Sequence, residues 1–460
     1  MTVQTRQYVT KQLAGDTLTP ISLYSALEGK HKMLFESSAK HEESGRYSFI
    51  AINPVAQLVG TGEQCTFTKG DDVVEADENA ITYLRSMMPT TAEELPFSFF
   101  GGAIGHFAYD TAFYFEKIGQ PLHDELAMPD VNVFFYDTFI IFDHLLQTVT
   151  LAAIDLFHDK DEAQLTAQIA QMEQHIHAGK VFTEESEAHV SFAPTIDKER
   201  FIDMVEAAQE HIRNGDIFQV VLSQRFTSSF SGNPFSLYRK LRTSNASPYM
   251  FYMDYDDYTI LGTSPESLIK VKDGFVTTNP IAGTKPRGKT KEHDAQTAKA
   301  LLEDEKEIAE HRMLVDLGRN DIGKISEIGS VTVTKYMTIE YYKHVMHIVS
   351  EVTGKLRQGY NAMDALISAL PAGTVSGAPK IRAMQIINEQ EHVKRGVYAG
   401  AVGYISVSGD MDLALAIRTM VVKDGKAHVQ AGAGVVYDSV PESEYEETLN
   451  KAKALLEVRV

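Results

Sequence analysis

Between residues 398 and 437 the chain alternates apolar segments with very tight turns. The segments are 398–407, 412–423 and 427–437, and the links are Ser408-Gly409-Asp410 and Lys423-Asp424-Gly425. Parallel strands need a crossover of a dozen residues or more, so links this short force antiparallel pairing. Alternation over 131–153 predicts a hairpin of two long strands, and further strands are predicted at 217–227, 249–255, 258–263, 266–272 and 344–353. Helical patterns fall between them at 161–178, 198–213, 235–243, 292–317, 361–369, 377–388 and 441–456. In the second of these, Phe201, Met204, Val205, Ala208 and Ile212 recur at helical spacing and Gly215 closes the helix. The expected class is α+β, with large antiparallel β-sheets flanked by helices.

The first part of the chain mixes shorter signals. Ile21–Glu28 reads as a short helix, 32–37 as a strand running into a polar loop at 38–45, and 46–52 as a strand ended by Asn53-Pro54. Three glycines interrupt the aromatic run at 97–110, which suggests close backbone approach. A boundary is expected at about 180–195, where polar Glu184–Glu187 precedes the helix-start signal Pro194-Thr195-Ile196-Asp197. This divides the chain into an N-terminal domain, 1–190, and a catalytic domain, 191–460. No phosphate-binding glycine fingerprint follows a strand, so neither a dinucleotide fold nor a P-loop is supported. With 43 Lys and Arg against 63 Asp and Glu, the net charge of −20 argues against nucleic acid or an anionic membrane as partner. A single cysteine, Cys65, excludes an intrachain disulfide framework and a cysteine-cluster metal site. The first residues lack the apolar core of a secretory signal, and no run reaches the ~18–20 apolar residues of a spanning helix. A soluble, cytoplasmic chain is expected.

Two acidic repeats hold the candidate chemistry. Glu307 and Glu310 lie in one helical pattern, Glu444 and Glu447 in the last, each pair at i and i+3 on one helix face. Like charges at that spacing repel, and hard divalent cations such as Mg²⁺ take carboxylate oxygens. The residues alone leave two readings open, a metal site shared by two helices or two solvated acidic faces. Polar motifs sit near them in otherwise apolar surroundings. Glu266 ends a strand in Gly262-Thr263-Ser264-Pro265-Glu266, where an apolar setting would raise its pKa and suit it to general-acid work. The loop Pro280–Gly288 offers Gly283, Thr284 and two cations for anion capture. His347 alternates with Met346 and Ile348 on a strand; Thr374 lies beside the helix start, with Ser376 as a candidate N-cap. Arg418, in the apolar segment Ala414–Thr419, needs a partner, either an internal carboxylate or a substrate's. The small residues Ala431–Gly434 expose backbone donors, and Lys451 lies one turn after Glu447.

These motifs resemble those of the chorismate-utilising enzymes. The matching residues are Ser264-Pro265-Glu266, Pro280–Thr284, Lys306–His311, Met313–Asp321, His347, Pro371–Lys380, Tyr398–Tyr404, Arg418, Gln430–Gly434 and Glu444–Lys451, with Leu34–Ser37, Arg46–Ser48 and Gly101–Gly105 in the first half. The resemblance implies the chorismate-utilising fold and Mg²⁺ held by Glu310 and Glu447, with Glu307 and Glu444 in support. It also implies that Gly283, Thr284, Tyr398, Arg418, Lys451 and the backbone of Gly432, Ala433 and Gly434 bind chorismate. Glu266 then protonates the leaving 4-hydroxyl and ammonia attacks C2. Loss of pyruvate from the aminodeoxyisochorismate intermediate yields anthranilate near His347 and Thr374.

Ala282 separates the branches of that family. The resemblance places a nucleophilic lysine at this position in aminodeoxychorismate synthases, so alanine favours the anthranilate-forming branch over that alternative. Cys65 has no setting suited to glutamine hydrolysis, so ammonia is expected from a separate glutamine amidotransferase subunit. Ser37, Pro248, Tyr249 and Met250 resemble the family's tryptophan feedback site, with Phe35 in place of the usual leucine. A non-catalytic paralogue that keeps the fold is the remaining alternative, and the presence of every acidic and polar site residue opposes it.

Overall fold

The computed structural model describes residues 5–37, 45–91, 93–179, 190–342 and 345–457. The polar stretch Glu184–Glu187, His344 at the head of one expected strand, and all of the loop expected at 38–45 except Gly45 lie outside them. Among the described residues the strands form two twelve-stranded sheets whose ladders are antiparallel throughout. Tyr258–Ser264 and Thr419–Lys423 pair near the middle of the first sheet, with Lys426–Val435 and Gln219–Ser229 next in order. In the second, Ser267–Lys272 pairs with Met411–Leu415, and Ile281–Pro286 with Val345–Lys355 at one end.

Side chains alternate across the first sheet, and both of its faces are buried. Met33, Phe251 and Ile260 join a core that also holds Phe134, Ile104 and Leu413 of the second sheet. Their neighbours Leu34, Tyr252 and Leu261 point the other way, into a core completed by the helices Pro20–Ala26, Glu162–Ala178 and Pro234–Ser244. This two-faced burial requires the long apolar strands that the sequence shows.

The expected linear division at residue 190 does not separate two bodies. Each sheet takes strands from both sides of it: Met33–Glu36 pairs with Tyr249–Asp254 in one, and Gly102–Phe107 with Ala401–Ser406 in the other. Three further expectations are corrected. The hairpin at 131–153 is three strands, Val131–Tyr136, Thr138–Asp143 and Thr148–Ile154, the first in the second sheet and the others in the first. The helix at 292–317 is two, Lys291–Glu303 and Glu305–Gly323. They break at Asp304, whose carboxylate accepts from the backbone N–H groups of Lys306 and Glu307 and caps the second. The strand at 412–423 leaves its ladder at Ala416–Arg418, where the chain passes from one sheet to the other. Strands at 56–61, 64–69, 72–76, 275–278, 281–286 and 332–341 were not expected.

Candidate active site

Two chain crossings between the sheets lie side by side. Residues 265–266 link Tyr258–Ser264 to Ser267–Lys272, and residues 416–418 link Met411–Leu415 to Thr419–Lys423. Gly262 is paired with Thr419 in one sheet and Ser267 with Ala414 in the other, so the links must be adjacent. Backbone bonds join them: Thr263 N–H donates to Arg418 O at 3.1 Å, and Leu415 N–H to Glu266 O at 3.0 Å. Glu266 and Arg418 therefore face the same space. Arg418 takes a left-handed backbone, φ 48°, an uncommon conformation that points to a functional constraint. Among the described residues its guanidinium has no hydrogen-bond or ion-pair partner, while burial disfavours its charge, chiefly offset by Glu266.

That space is a cleft of about 600 Å³, of a size for a small-molecule substrate. The bulged pairing of Ile281–Pro286 with Val345–Lys355 forms one wall and brings in Gly283, Thr284 and His347. Gly283 has φ +67°, and a Cβ there would stand 3.1 Å from Leu301 and 3.2 Å from a Glu307 oxygen. Tyr398 stands against Gly432, where a Cβ would lie 2.8 Å from the tyrosine oxygen. The helices Glu305–Gly323 and Pro441–Leu456 add Lys306, Glu307, Glu310, Glu444, Glu447 and Lys451. All the expected catalytic and metal residues and all but one of the expected substrate residues line this cleft. Ala433 is the exception. Strand alternation turns Gly432 and Gly434 toward the cleft, so Ala433 faces away and is fully buried.

The electrostatics differentiate the carboxylates. Burial pushes the Glu266 pKa up to about 7, opposed by the Thr374 hydroxyl, Lys451 and Arg418. Thr374 donates to Glu266 Oε1 at 2.7 Å from the turn Gly373–Val375. Ser376 is not the N-cap of the following helix: it closes the turn Gly373–Val375, its hydroxyl donates to Ala372 O, and the next helix begins at Lys380 after Pro379. Burial lowers the His347 pKa, so the imidazole is neutral near pH 7. His347 Nδ1 lies 3.1 Å from Gly283 O, which can only accept, and 3.0 Å from the Thr284 hydroxyl; the tautomer with its proton on Nδ1 satisfies the carbonyl and leaves Nε2 as the basic nitrogen.

Burial also raises the pKa of Glu307 and Glu444, and the neighbouring Glu310 and Glu447 raise them further. Glu447 is paired with Lys451 at 2.7 Å, whereas Glu444 Oε2 is buried without a hydrogen-bond partner among the described residues. Among the described residues no three His, Cys, Asp or Glu side chains already converge to hold a metal. The donor set, two carboxylates from each of two helices with one orphaned oxygen, suits a hard cation whose shell is completed by substrate oxygens.

One cleft residue escaped the sequence reading. Gln219 Nε2 donates to Glu310 Oε1 at 3.1 Å and packs against Gly434. A polar side chain in an otherwise apolar strand pattern was the available signal. The four residues likened to a tryptophan site lie apart from the cleft but close to one another. Met250 pairs with Glu36 across the sheet, which brings Ser37 beside Tyr249. Among the described residues Ser37 Oγ is buried without a partner, and Tyr249 donates to Asp412 at 3.0 Å.

A model of chorismate binding enzymes matches residues 30–457. The chain is 47% identical to anthranilate synthase component 1 of Lactococcus lactis subsp. lactis, over 97% of this chain and 99% of that protein. It is 43% identical to the component 1 of Thermus thermophilus, over 97% and 96%. The crystal structure of anthranilate synthase component I from Streptococcus pneumoniae superposes with a TM-score of 0.83 at 45% identity, covering 96% of this chain and 98% of that one. A menaquinone-specific isochorismate synthase from Escherichia coli, 20% identical, shares the fold with a TM-score of 0.73, over 98% and 95%. The cleft and the two-sheet architecture are those of a chorismate-utilising enzyme, and the chain belongs to the chorismate binding enzyme family. Within that family the relatives at 43% to 47% identity over nearly their full length are anthranilate synthase component 1 proteins. Among the described residues no helix is long and apolar enough to cross a membrane.

Proposed function

We propose that this chain is the chorismate-converting component of an anthranilate synthase, taking chorismate and ammonia to anthranilate, pyruvate and water. The observation that carries this reading is a buried carboxyl, Glu266, its pKa pushed up to about 7, beside the guanidinium of Arg418, which has no partner among the described residues. An acid must be protonated to release a leaving hydroxyl, and a dicarboxylate needs a cation to receive it. Arg418 and Lys451 bind and orient the carboxylates, and Tyr398, with Gly432 and Gly434 of the cleft wall, completes the seat. Glu266 gives its proton to the departing 4-hydroxyl, which leaves as water. Ammonia bonds to C2 as the ring double bonds shift, and the new ammonium releases a proton. His347 Nε2 then takes the C2 proton as the ether C–O bond breaks. The enolpyruvate fragment gains a proton and leaves as pyruvate.

Glu310 and Glu447 are the proposed Mg²⁺ ligands, with Glu307 and Glu444 behind them. When bound, Mg²⁺ neutralises carboxylate charge between the two acidic helices. Ammonia is proposed to come from a separate glutamine amidotransferase subunit. Tryptophan feedback is proposed at Ser37, Pro248, Tyr249 and Met250, where a buried hydroxyl without a partner and a cross-strand pairing support it. Ala282 lines the cleft where a nucleophilic lysine would be needed for the aminodeoxychorismate reaction.

The test is to incubate the purified chain with chorismate, Mg²⁺ and an ammonium salt, and to follow anthranilate fluorescence. Unconsumed chorismate overturns the reading, and accumulation of 4-amino-4-deoxychorismate replaces it with the alternative. An unchanged rate at millimolar tryptophan removes the feedback site.

A further inference from the structure

Arg395 lies behind the cleft wall, 2% exposed, and touches no reacting atom in the proposed chemistry. Four of the five N–H groups of its fork make hydrogen bonds among the described residues. Nε and Nη2 donate to the two oxygens of Glu391 at 2.8 and 2.7 Å, Nη1 donates to Val375 O at 2.7 Å, and Nη2 also donates to Val221 O at 2.7 Å. Glu391 Oε1 in turn accepts from Ser223 N–H and Ser223 Oγ at 2.8 and 2.9 Å. The guanidinium also sits 4.7 Å from the Tyr109 ring centre and 5.6 Å from that of Tyr398. One side chain thus holds the strand Gln219–Ser229, the turn Gly373–Val375 and Tyr398, three separate pieces of the cleft wall.

A buried ion pair contributes little net stability compared with well-packed apolar residues of the same volume. The value of this one lies in geometry, because a planar fork fixes several acceptors at once. Val375 is the residue after Thr374, whose hydroxyl meets Glu266. We propose that Arg395, locked by Glu391, is a positioning residue that holds the Gly373–Val375 turn so that Thr374 bonds to the Glu266 carboxyl, and holds Tyr398 against Gly432. This rests on the reading of Glu266 as the proton donor.

The test is a double-mutant cycle on the full chain with Arg395→Lys, Thr374→Val and the two combined, assayed with ammonium as nitrogen source. The charged and polar groups facing Glu266 are Thr374 from the turn, Arg418 from the sheet crossing, Lys451 from the last helix and Tyr342 from the second sheet's edge. Of these, only Thr374 is reached through the Arg395 contact with Val375. Each single variant is expected to lower kcat by about tenfold, with the double no worse than Thr374→Val by more than about twofold, since coupled neighbours are not additive. Both single variants should also move the alkaline fall of kcat to higher pH, because each removes the bond that lowers the Glu266 pKa. Multiplying effects, or an Arg395→Lys variant that loses thermal stability with kcat and pH profile unchanged, overturns the proposal. If Arg395→Lys does not fold, Glu391→Gln, which keeps the carbonyl acceptor for Ser223, reads the same coupling. Near-native activity of Glu266→Gln defeats the proton-donor reading itself, and is distinguishable from a failure of coupling between Arg395 and Thr374.

Discussion

Glu266→Gln is the substitution from which most follows. The native carboxyl, with its pKa near 7, is about half protonated at pH 7, against roughly one molecule in five hundred for an ordinary glutamate. Burial therefore makes the acid available where the reaction needs it. Glutamine keeps the shape and can still accept from Thr374, but has no proton to give. The loss in kcat for ammonia-dependent anthranilate formation should lie between ~10² and ~10⁴-fold, the usual contribution of a general acid. The pH profile is the sharper measurement. In the native enzyme kcat/KM should fall as pH rises through about 7, and kcat should fall at higher pH, because the bound dicarboxylate adds negative charge beside Glu266. In the variant this alkaline fall should disappear. Stability gives an independent check. The folded pKa lies above the unfolded one, so the folded chain holds the extra proton between roughly pH 4 and 7 and loses that stabilisation as pH rises through the folded value. At pH 8 the variant's Tm should not fall below the native one. A variant within tenfold of native activity, or one that keeps an alkaline fall near pH 7, would refute the assignment.

Glu310→Gln and Glu447→Gln should each raise the Mg²⁺ concentration needed for half-maximal activity by about 10–100-fold, and native Mg²⁺ dependence in either would show that the ligands lie elsewhere. Gly283→Ala forces a Cβ into a left-handed position already close to Leu301 and Glu307. It should cost about 1–2 kcal/mol in urea unfolding and raise KM, and an unaltered midpoint would contradict the bulge geometry. Tryptophan binding can be read by the ligand's own fluorescence, because the chain contains no tryptophan. Ser37→Ala should weaken it about tenfold, the value of one buried hydrogen bond, and equal affinity would remove Ser37 from the site.

The acidic repeats were legible because i, i+3 spacing fixes a helix face whatever the helix packs on. Glu307, Glu310, Glu444 and Glu447 consequently fell where expected, although the break at Asp304 did not show. Its capping role competes with a helical pattern that runs through it unbroken. Glu266, His347, Thr374 and Arg418 were legible as polar residues in apolar surroundings. Ala433 was misplaced because a run of small residues carries no sign of which face is which, and only the register against Leu222 decides it. Arg395 stayed hidden for a different reason. Its backbone partners, Val375 and Val221, are distant in sequence, and no local pattern reports a bond across the fold.

The least legible feature proved the most consequential. Residues 412–423 read as one strand, since burial on both sides makes the apolar pattern continuous through the passage between sheets. The joint at Ala416–Arg418 is what lifts Arg418 out of the ladder and sets it beside Glu266 in the neighbouring joint. Both crossings are pinned at each end by strand register, Gly262 against Thr419 and Ser267 against Ala414. Their length is therefore not free. One residue added after Ala416 would rotate Arg418 away from the cleft or slip Thr419–Lys423 by one position, and a one-residue slip turns every side chain of a strand to the other face. Both faces of that sheet are buried, so the slip is opposed by two cores at once, and the insertion must be absorbed at Arg418. Such a variant should keep its secondary structure by circular dichroism while losing chorismate turnover. Retained turnover would mean that the guanidinium reaches the substrate by flexibility and not by the register of the two sheets.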